Sequence, residues 1–328
     1  MEAINRSGLR TVFVVDEHGI LVAAVTDGDI RRALLGGYSL DSPAGLAFNT
    51  SFVSLMEGSD WASVIAEGAT RGFTEYPVVD ASGALVCVEV RPLPSRHTAR
   101  KNTVVIMAGG KGLRLRPLTE QTPKPLLRVG GKPVLQHIIE NLRDEGFTDL
   151  VVAINYLGEQ IEEHFGDGSS FGVGITYLRE ETPLGTAGAL SLLKPPFFSP
   201  LVVMNADLVV SARIGQLVDY HLTENASITV GAKMVETMVP FGVLGTKGHV
   251  IQVIEEKPTH KDLINAGVYV LDAEVLEQLN PGTPADMPEL IAANVDSGSV
   301  LAFPLHEDWL DLGRPDDLRK ARANTQEN

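Results

Sequence analysis

The stretch from Val104 to Lys132, VVIMAGGKGLRLRPLTEQTPKPLLRVGGK, combines a short apolar strand, a glycine-rich turn and six basic side chains. Gly109, Gly110 and Gly112 allow the backbone to turn tightly, so that its N–H groups can approach an anion closely. The basic residues oppose only Glu120, which gives the segment a local charge of about +5 in a chain whose formal net charge is -15. This reversal of sign predicts a binding site for a polyanionic ligand that carries phosphate groups.

The spacing of the glycines excludes two other phosphate-binding loops. A Walker-type loop requires a glycine separated by four residues from the Gly-Lys pair and a Ser or Thr after the pair. Val105 and Gly112 occupy those positions. A dinucleotide-binding fingerprint requires a third glycine where this chain has Leu115. The turn therefore belongs to a different class of nucleotide site.

The same segment resembles the signature of the sugar-1-phosphate nucleotidyltransferases, also called sugar-nucleotide pyrophosphorylases. The pattern GGKGLRLRPLT is followed by PKPLLRVGGKPVL, and further motifs of that family follow in the family's order. They are TPLGTAGAL from Thr182, NADL from Asn205, PFGV from Pro240, EEKP from Glu255, NAGVY from Asn265 and WLDLGRP from Trp309. An ordered series of this length makes the resemblance specific.

The resemblance implies that the chain transfers a nucleotidyl group from a nucleoside triphosphate to a hexose 1-phosphate, with Mg²⁺ as cofactor and pyrophosphate as the second product. It implies catalytic roles for Arg114 and Lys124, and it implies Asp207 and Asp311 as the metal ligands. The nucleotide-binding positions that it implies are Ala108, Gly109, Gly110, Gly112, Pro183, Gly185 and Thr186. The implied sugar-phosphate contacts are Gly242, Glu256, Lys257 and Asn265.

The residue types suit that chemistry. Lys124 lies between Pro123 and Pro125, whose fixed φ angles restrict the backbone and aim the ammonium group, which suits an α-phosphate. The planar guanidinium of Arg114 can bind two oxygens of a departing pyrophosphate. Asp207 follows the apolar strand LVVMN, and ligands of α/β proteins bind at the carboxyl ends of such strands.

Residues 103–328 are expected to form an α/β domain with a mostly parallel twisted sheet and helices on both faces. Strands and helices alternate from Thr103 to Asn205, which is the pattern of such folds. The predicted helices are 133–145, 158–165 and 185–193. From Ala226 onward the sequence is rich in strands, as in the sugar-binding half of the family fold.

Residues 1–95 resemble a pair of cystathionine-β-synthase-type (CBS) regulatory modules with a truncated first unit, and residues 96–102 are predicted to be a linker. TVFVVD from Thr11 and EYPVVD from Glu75 begin similar strand–turn–strand units, which indicates an internal repeat. The resemblance implies that Thr26 and Asp29 hold an adenine nucleotide, at most one per chain. The alternative is a purely dimerising module in which both residues cap a turn or helix.

The combination of CBS modules with this catalytic domain looks most like the glucosamine-1-phosphate guanylyltransferases of legionaminic acid pathways. GTP is therefore the favoured donor, and nucleotide-sugar synthesis for cell-surface polysaccharides is the expected process. UTP or dTTP remains an alternative donor. A catalytically silent paralogue that binds sugar nucleotides without turnover also remains open, and so does a pure nucleotide sensor.

Composition limits location and partners. The 328 residues, 44% of them hydrophobic, are enough for two domains with sizeable cores. The acidic balance disfavours nucleic acids and anionic membranes as partners. No apolar run reaches a membrane-spanning length of about 18 residues, and the first ten residues lack the apolar region of a secretion signal, so a cytoplasmic protein is expected. The resemblance to a CBS pair implies a homodimer or higher homo-oligomer. The single cysteine, Cys87, is expected to be a small buried residue.

Overall fold

The computed structural model describes residues 11–70, 73–91, 99–210, 212–307 and 309–324. The chain divides into two compact units, residues 1–98 and 99–328. Residues 96–98 of the predicted linker and the ten residues before the first strand lie outside the described residues. We therefore describe each unit by itself.

The described residues of the N-terminal unit form two small sheets and two helices. β1 and β2 form an antiparallel hairpin, whereas β3 pairs parallel with β4 and β4 pairs antiparallel with β5. The strands are β1 (Thr11–Val15), β2 (Leu21–Thr26), β3 (Leu55–Met56), β4 (Glu75–Val79) and β5 (Leu85–Val90). The helices are α1 (Asp27–Leu35) and α2 (Ala62–Thr70), and a 3₁₀ turn covers Ala44–Ala47.

The β1–β2 and β4–β5 hairpins have the same turn geometry. In each, an aspartate (Asp16 or Asp80) accepts hydrogen bonds from the backbone N–H groups two and four residues further along the chain. A glycine with positive φ, Gly19 or Gly83, then reverses the backbone. The two turns therefore share a hydrogen-bond pattern as well as a sequence pattern.

Cys87 does not have the buried position that its apolar neighbours suggested. Its side chain is exposed on β5, which lies at the edge of the β3–β4–β5 sheet. Alternate residues of a strand point to opposite faces, so an apolar run on an edge strand does not place every member inside. The expectation of a buried cysteine was wrong for this reason.

The C-terminal unit is built on a seven-stranded sheet within the described residues, with spatial order β10-β9-β6-β11-β16-β13-β17. Only β16 among these strands runs against its neighbours, which confirms the mostly parallel sheet. The strands are β6 (Val104–Met107), β7 (Arg128–Val129), β8 (Lys132–Pro133), β9 (Asp149–Ile154), β10 (Gly174–Arg179), β11 (Leu201–Asn205), β12 (Leu208–Val210), β13 (Ile228–Met238), β14 (Gly242–Lys247), β15 (Val250–Glu256), β16 (Thr259–Leu271), β17 (Val300–Leu305) and β18 (Trp309–Asp311).

Helices cover both faces of this sheet. Along β6, Val104 and Ile106 join the hydrophobic cluster on one face, whereas Val105 joins the cluster on the other, so that the strand is buried on both sides. The helices are α3 (Val134–Asp144), α4 (Gly158–Phe165), α5 (Gly185–Gly188), α6 (Ile214–Thr223), α7 (Ala273–Leu276), α8 (Met287–Asn294) and α9 (Pro315–Asn324). Short 3₁₀ turns cover Leu113–Leu115, Lys124–Leu126, Ser169–Phe171, Ala189–Leu192 and Val295–Ser297.

The predicted helix over 185–193 is shorter than expected. It forms only one α-helical turn, Gly185–Gly188, before it continues as the 3₁₀ turn Ala189–Leu192. The backbone N–H groups of Ala187 and Gly188 lie in the first turn, and both bond to the Ala285 carbonyl oxygen at 2.9 Å. The α-helical part is therefore held by a segment that is distant in sequence.

No helix in the described part of the chain is both long and apolar enough to cross a lipid bilayer.

Candidate active site

The glycine turn and Asp207 lie side by side because β6 and β11 are parallel neighbours. Met107 and Asn205, the last residues of these strands, are register partners. β9 pairs with the opposite edge of β6 from β11. The order in which strands are added to the sheet therefore reverses between β6 and β11. Such a switch point opens a crevice at the carboxyl ends of the strands, where α/β proteins bind ligands.

The glycine turn lines a cavity of about 590 Å³ at that crevice. Gly112 has a φ of 60°, and a Cβ there would lie 2.9 Å from the Thr119 side chain, so this backbone conformation favours glycine for two reasons. Every residue expected to bind the nucleotide lines the cavity, namely Ala108, Gly109, Gly110, Gly112, Pro183, Gly185 and Thr186. Arg114, Lys124 and Asp207 line it too.

Lys124 and two carboxylates form the charged centre of the site. The Lys124 ammonium, whose side chain is 11% exposed, forms an ion pair with Asp207, and its Nζ lies 3.9 Å from Asp311 Oδ1. Asp311 ends β18, which pairs antiparallel with β12 immediately after Asp207. This short two-stranded sheet brings together carboxylates that are far apart in sequence.

The two carboxylates have the properties of a cation site. Asp207 Oδ1 is buried and has no hydrogen-bond partner among the described residues, and such a group is costly to bury without a ligand. Burial, and then the neighbouring Asp207 charge, raise the pKa of Asp311 above its ordinary value. Lys124 balances only part of the negative charge. An oxygen-binding divalent cation fits this donor set.

Arg114 lies beside the same cluster. A Cβ on Gly313 would lie 3.0 Å from Arg114 Nη2 and 2.9 Å from Asp311 Oδ1, so these two charged groups approach the same glycine. The Gly313 N–H donates to Asp311 Oδ1 at 2.7 Å and fixes the carboxylate. The guanidinium is thus placed between the glycine turn and the WLDLG segment.

The TPLGTAG loop is held by hydrogen bonds to residues 285–287, at the start of α8. Gly185 has a φ of 79°, and a Cβ there would lie 2.6 Å from the Ala285 carbonyl oxygen, so only glycine permits this approach. Asp286 Oδ1 accepts the Thr186 N–H at 3.0 Å, and the Thr186 hydroxyl accepts the Met287 N–H at 2.8 Å. Sequence reasoning missed Asp286, whose short polar segment carries no recognised motif.

A second cavity, of about 460 Å³, adjoins the first and shares Thr186 and Asn205 with it. Asn265, one of the expected sugar contacts, lines this cavity, and so does Asp311. Trp309 also lines it and donates its indole N–H to the Ala266 carbonyl oxygen at 2.9 Å. Neutral polar groups and an aromatic surface are suited to a sugar ring.

The other three expected sugar-phosphate residues lie outside both cavities. Gly242 and Glu256 pair with each other across the β14–β15 hairpin, and Lys257 follows β15 with a φ of 49°. All three residues are exposed. Their roles remain predictions, since the structure brings only Asn265 of that group to the cavities.

In the N-terminal unit, Thr26 and Asp29 form the cap of α1. The Thr26 hydroxyl accepts the Asp29 N–H at 3.2 Å, and the Asp29 carboxylate accepts both the Thr26 N–H and its hydroxyl, at 2.8 and 2.6 Å. Arg32 forms an ion pair with the same carboxylate. Both proposed nucleotide-binding groups are thus engaged within the helix cap.

Comparisons with known proteins match the C-terminal unit. Residues 103–328 match the family model described as nucleotidyl transferase. A mannose-1-phosphate guanyltransferase from Kluyveromyces lactis is 35% identical over 223 residues, and the match covers 65% of this chain and 62% of that protein. The catalytic subunit beta of mannose-1-phosphate guanylyltransferase from Drosophila pseudoobscura pseudoobscura is 33% identical over 232 residues, 69% of this chain and 62% of that protein. The chain thus spans about three fifths of the length of these curated relatives.

Solved structures give the same result for the fold. A Bacillus anthracis protein assigned as a glucose-1-phosphate thymidylyltransferase is 27% identical with a TM-score of 0.56, and the match covers 69% of this chain and 96% of that one. HddC from Yersinia pseudotuberculosis is 25% identical with a TM-score of 0.54, covering 68% of this chain and 99% of that one. The family match extends over more than half of the chain and contains every residue of both cavities. The chain belongs to the nucleotidyl transferase family.

Proposed function

We propose that this protein transfers a nucleotidyl group from a nucleoside triphosphate, with GTP favoured, to a hexose 1-phosphate, giving a nucleoside diphosphate sugar and pyrophosphate. The observation that supports this proposal is the position of the charged centre. Asp207 lines the glycine-turn cavity, Asp311 lines the adjoining cavity, and Lys124 approaches both carboxylates. Two anionic substrates can therefore meet at one place where charge is neutralised.

In the proposed reaction, an oxygen of the sugar phosphate attacks the α-phosphorus of the triphosphate. The new P–O bond forms as the bond between the α-phosphorus and its bridging oxygen breaks, and pyrophosphate leaves with that oxygen. Lys124 would stabilise the charge at the α-phosphate, and Arg114 would hold the departing pyrophosphate. Backbone N–H groups of the glycine turn would orient the phosphates. No covalent enzyme intermediate is required.

Members of this family generally use a divalent metal ion, and we propose Mg²⁺ for this protein. Asp207 and Asp311 would hold it, since both are oxygen donors and one has a buried oxygen without a partner. When bound, the ion supplies Lewis-acid neutralisation of phosphate charge.

The donor and acceptor are proposed with support from the relatives. Two are named as mannose-1-phosphate guanyl- or guanylyltransferases, which favours GTP, whereas the Bacillus anthracis neighbour is assigned to thymidylyl transfer and keeps dTTP as an alternative. An amino-hexose 1-phosphate is our proposed acceptor, by the resemblance to legionaminic acid pathways. A silent paralogue is disfavoured because Lys124 and both carboxylates stand together.

A substrate panel tests this assignment. We expect GTP to give a higher kcat/KM than UTP, dTTP or ATP, with glucosamine 1-phosphate preferred over glucose 1-phosphate and mannose 1-phosphate. Pyrophosphate release, coupled to pyrophosphatase and phosphate detection, measures each pair, and reactions without sugar phosphate control for hydrolysis. If UTP or dTTP gave the highest kcat/KM, the base assignment would be wrong but the reaction class would stand. If no pair gave product, the silent paralogue would be the better description.

For the N-terminal unit we propose a CBS pair that mediates dimerisation and binds at most one adenine nucleotide per chain, at Thr26 and Asp29. The repeat of turn geometry at Asp16 and Asp80 supports a paired module. The hydrogen bonds of the α1 cap favour the alternative, in which Thr26 and Asp29 serve only structure and the module only dimerises.

Calorimetry with AMP and ATP decides between these two forms of the proposal. We expect weak binding of one nucleotide per full-length chain, lost in Asp29→Ala because a ribose without a carboxylate partner forgoes hydrogen bonds. Lys124→Met should leave this binding unchanged, which separates it from nucleotide binding at the catalytic cavity. Binding of two nucleotides, or binding insensitive to Asp29→Ala, would place the site elsewhere. No binding would identify a purely dimerising module.

A further inference from the structure

The segment between the glycine turn and Lys124 is held by hydrogen bonds rather than by apolar packing. Of residues 116–121, only Thr119 is buried, and its hydroxyl donates to the Gly112 carbonyl oxygen at 2.8 Å. A segment with few buried apolar contacts has little resistance to local opening. Its position, and with it the path of the chain into Lys124, therefore depends on the groups that bond to it.

Two side chains at the start of α4 hold the exposed end of this segment. The Tyr156 hydroxyl donates to the Glu120 carbonyl oxygen at 3.0 Å, and the Gln160 side-chain amide donates to the Gln121 carbonyl oxygen at 3.0 Å. The two carbonyl groups are successive, and both donor side chains are half-buried. The bonds therefore fix the backbone just before the rigid Pro-Lys-Pro segment that carries Lys124.

The turn that leads into α4 also contacts the glycine turn, and its backbone is strained. The Tyr156 N–H makes a long hydrogen bond of 3.5 Å to the Gly109 carbonyl oxygen. Leu157, the next residue, has a φ of 52° and a ψ of 31°, a left-handed conformation that is unfavourable for a residue with a Cβ. Such strain persists only where the surrounding structure maintains it, and it is concentrated at functional sites. One strained turn thus contacts both phosphate-binding segments.

We infer that Tyr156 and Gln160 are positioning residues for Lys124, although neither lines the two cavities. They hold the preceding backbone so that the ammonium group has a fixed position relative to the glycine turn. A fixed charge stabilises the α-phosphate without reorganisation, and a displacement of about 1 Å can cost about a hundredfold in rate. The inference deepens the proposed nucleotidyl transfer and rests on it for the role of Lys124.

A double-mutant cycle with Lys124 tests the inference. We expect Tyr156→Phe to lower kcat about fivefold and Tyr156→Phe/Gln160→Leu to lower it about twentyfold, because each change removes one hydrogen-bond donor. KM for either substrate should change less than about twofold. In a Lys124→Met background, the same two changes should lower the remaining kcat less than about twofold, since the group that they position is gone.

Tyr177→Phe is the matched control. Tyr177 is also half-buried and donates its hydroxyl to a backbone carbonyl oxygen, that of Gly166 at 2.8 Å, but at the opposite end of α4. This variant should keep the wild-type kcat. An equal loss of kcat in the wild-type and Lys124→Met backgrounds would show a general structural role and overturn the inference, and so would a wild-type kcat in Tyr156→Phe/Gln160→Leu.

Amide hydrogen exchange, followed by mass spectrometry, gives a readout that needs no turnover. In Tyr156→Phe/Gln160→Leu, the peptide that covers residues 117–123 should exchange faster than in the wild-type protein, whereas peptides from β6 and β9 should keep their protection. Unchanged exchange over 117–123, or faster exchange throughout the C-terminal unit, would overturn the inference. If the wild-type protein formed no product with any substrate pair, the proposed reaction would be disproved, and the exchange result would still decide whether Tyr156 and Gln160 position the Lys124 segment.

Discussion

Replacing either carboxylate of the charged centre, in Asp207→Asn or Asp311→Asn, should reduce kcat by more than about a hundredfold at saturating Mg²⁺, equivalent to about 2.7 kcal/mol in the barrier. Each change removes a formal charge from the proposed metal site while the side-chain volume is preserved. The physical basis is that Asp207 Oδ1 is buried without a hydrogen-bond partner among the described residues, and that burial and the Asp207 charge raise the pKa of Asp311. A bound cation would reduce both unfavourable effects. Pyrophosphate release with GTP and the preferred sugar phosphate measures the loss.

The exposed Asp144, which pairs with Arg143 away from the cavities, provides the matched control. Asp144→Asn should retain wild-type kcat, and all three variants should keep the circular dichroism spectrum of the parent. A thermal midpoint at or above that of the parent is compatible with the hypothesis, since removing one of two neighbouring like charges relieves repulsion. If both catalytic-site variants stayed within about tenfold of the parent, the two-carboxylate metal site would be refuted.

Lys124→Met should lower kcat far more than it raises KM for either substrate. The negative charge on the α-phosphate and the attacking oxygen must be stabilised most strongly in the transition state, so a fixed ammonium contributes mainly there. The Lys124 side chain is 11% exposed and forms an ion pair with Asp207, and its Nζ lies 3.9 Å from Asp311 Oδ1, so its position is well defined before substrate binds. Initial rates over a matrix of GTP and sugar-phosphate concentrations separate the two parameters. Arg114→Ala should show the same pattern.

Lys132→Met is the control for Lys124→Met, because Lys132 belongs to the same basic segment but pairs with Glu140 at 2.8 Å, with a half-exposed side chain. This control should leave kcat unchanged. Removing Lys124 leaves Asp207 and Asp311 without their cation, so the kinetic measurement is made with Mg²⁺ present to limit loss of folded protein. An effect on KM alone would identify Lys124 as a ground-state binding contact.

Several parts of the fold could be predicted from sequence because they depend on neighbouring residues. The apolar runs that became β6, β9 and β11 alternate with helical segments, and this alternation predicted a mostly parallel sheet whose strands are buried on both faces. The helix predicted over 158–165 has those bounds in the structure. The helix predicted over 185–193 is α-helical only over Gly185–Gly188 and continues as a 3₁₀ turn. Its first-turn N–H groups bond to Ala285, a partner about a hundred residues away that no local pattern can show.

The candidate site likewise has features that follow from the sequence and features that only the tertiary structure decides. The sequence by itself determined the glycine turn, the rigid Pro-Lys-Pro segment around Lys124 and the residue types of Asp207 and Asp311, since each lies in a motif with its own backbone or charge requirement. Only the tertiary structure decided that the β12–β18 pair would bring Asp311 to Lys124, and that Asn265 would line a cavity while Lys257 would not. It also brought the Tyr156 hydroxyl to the Glu120 carbonyl oxygen. The physical reason is that strand pairing and chain crossovers fix distances between side chains remote in sequence, whereas local patterns fix only conformation and residue type.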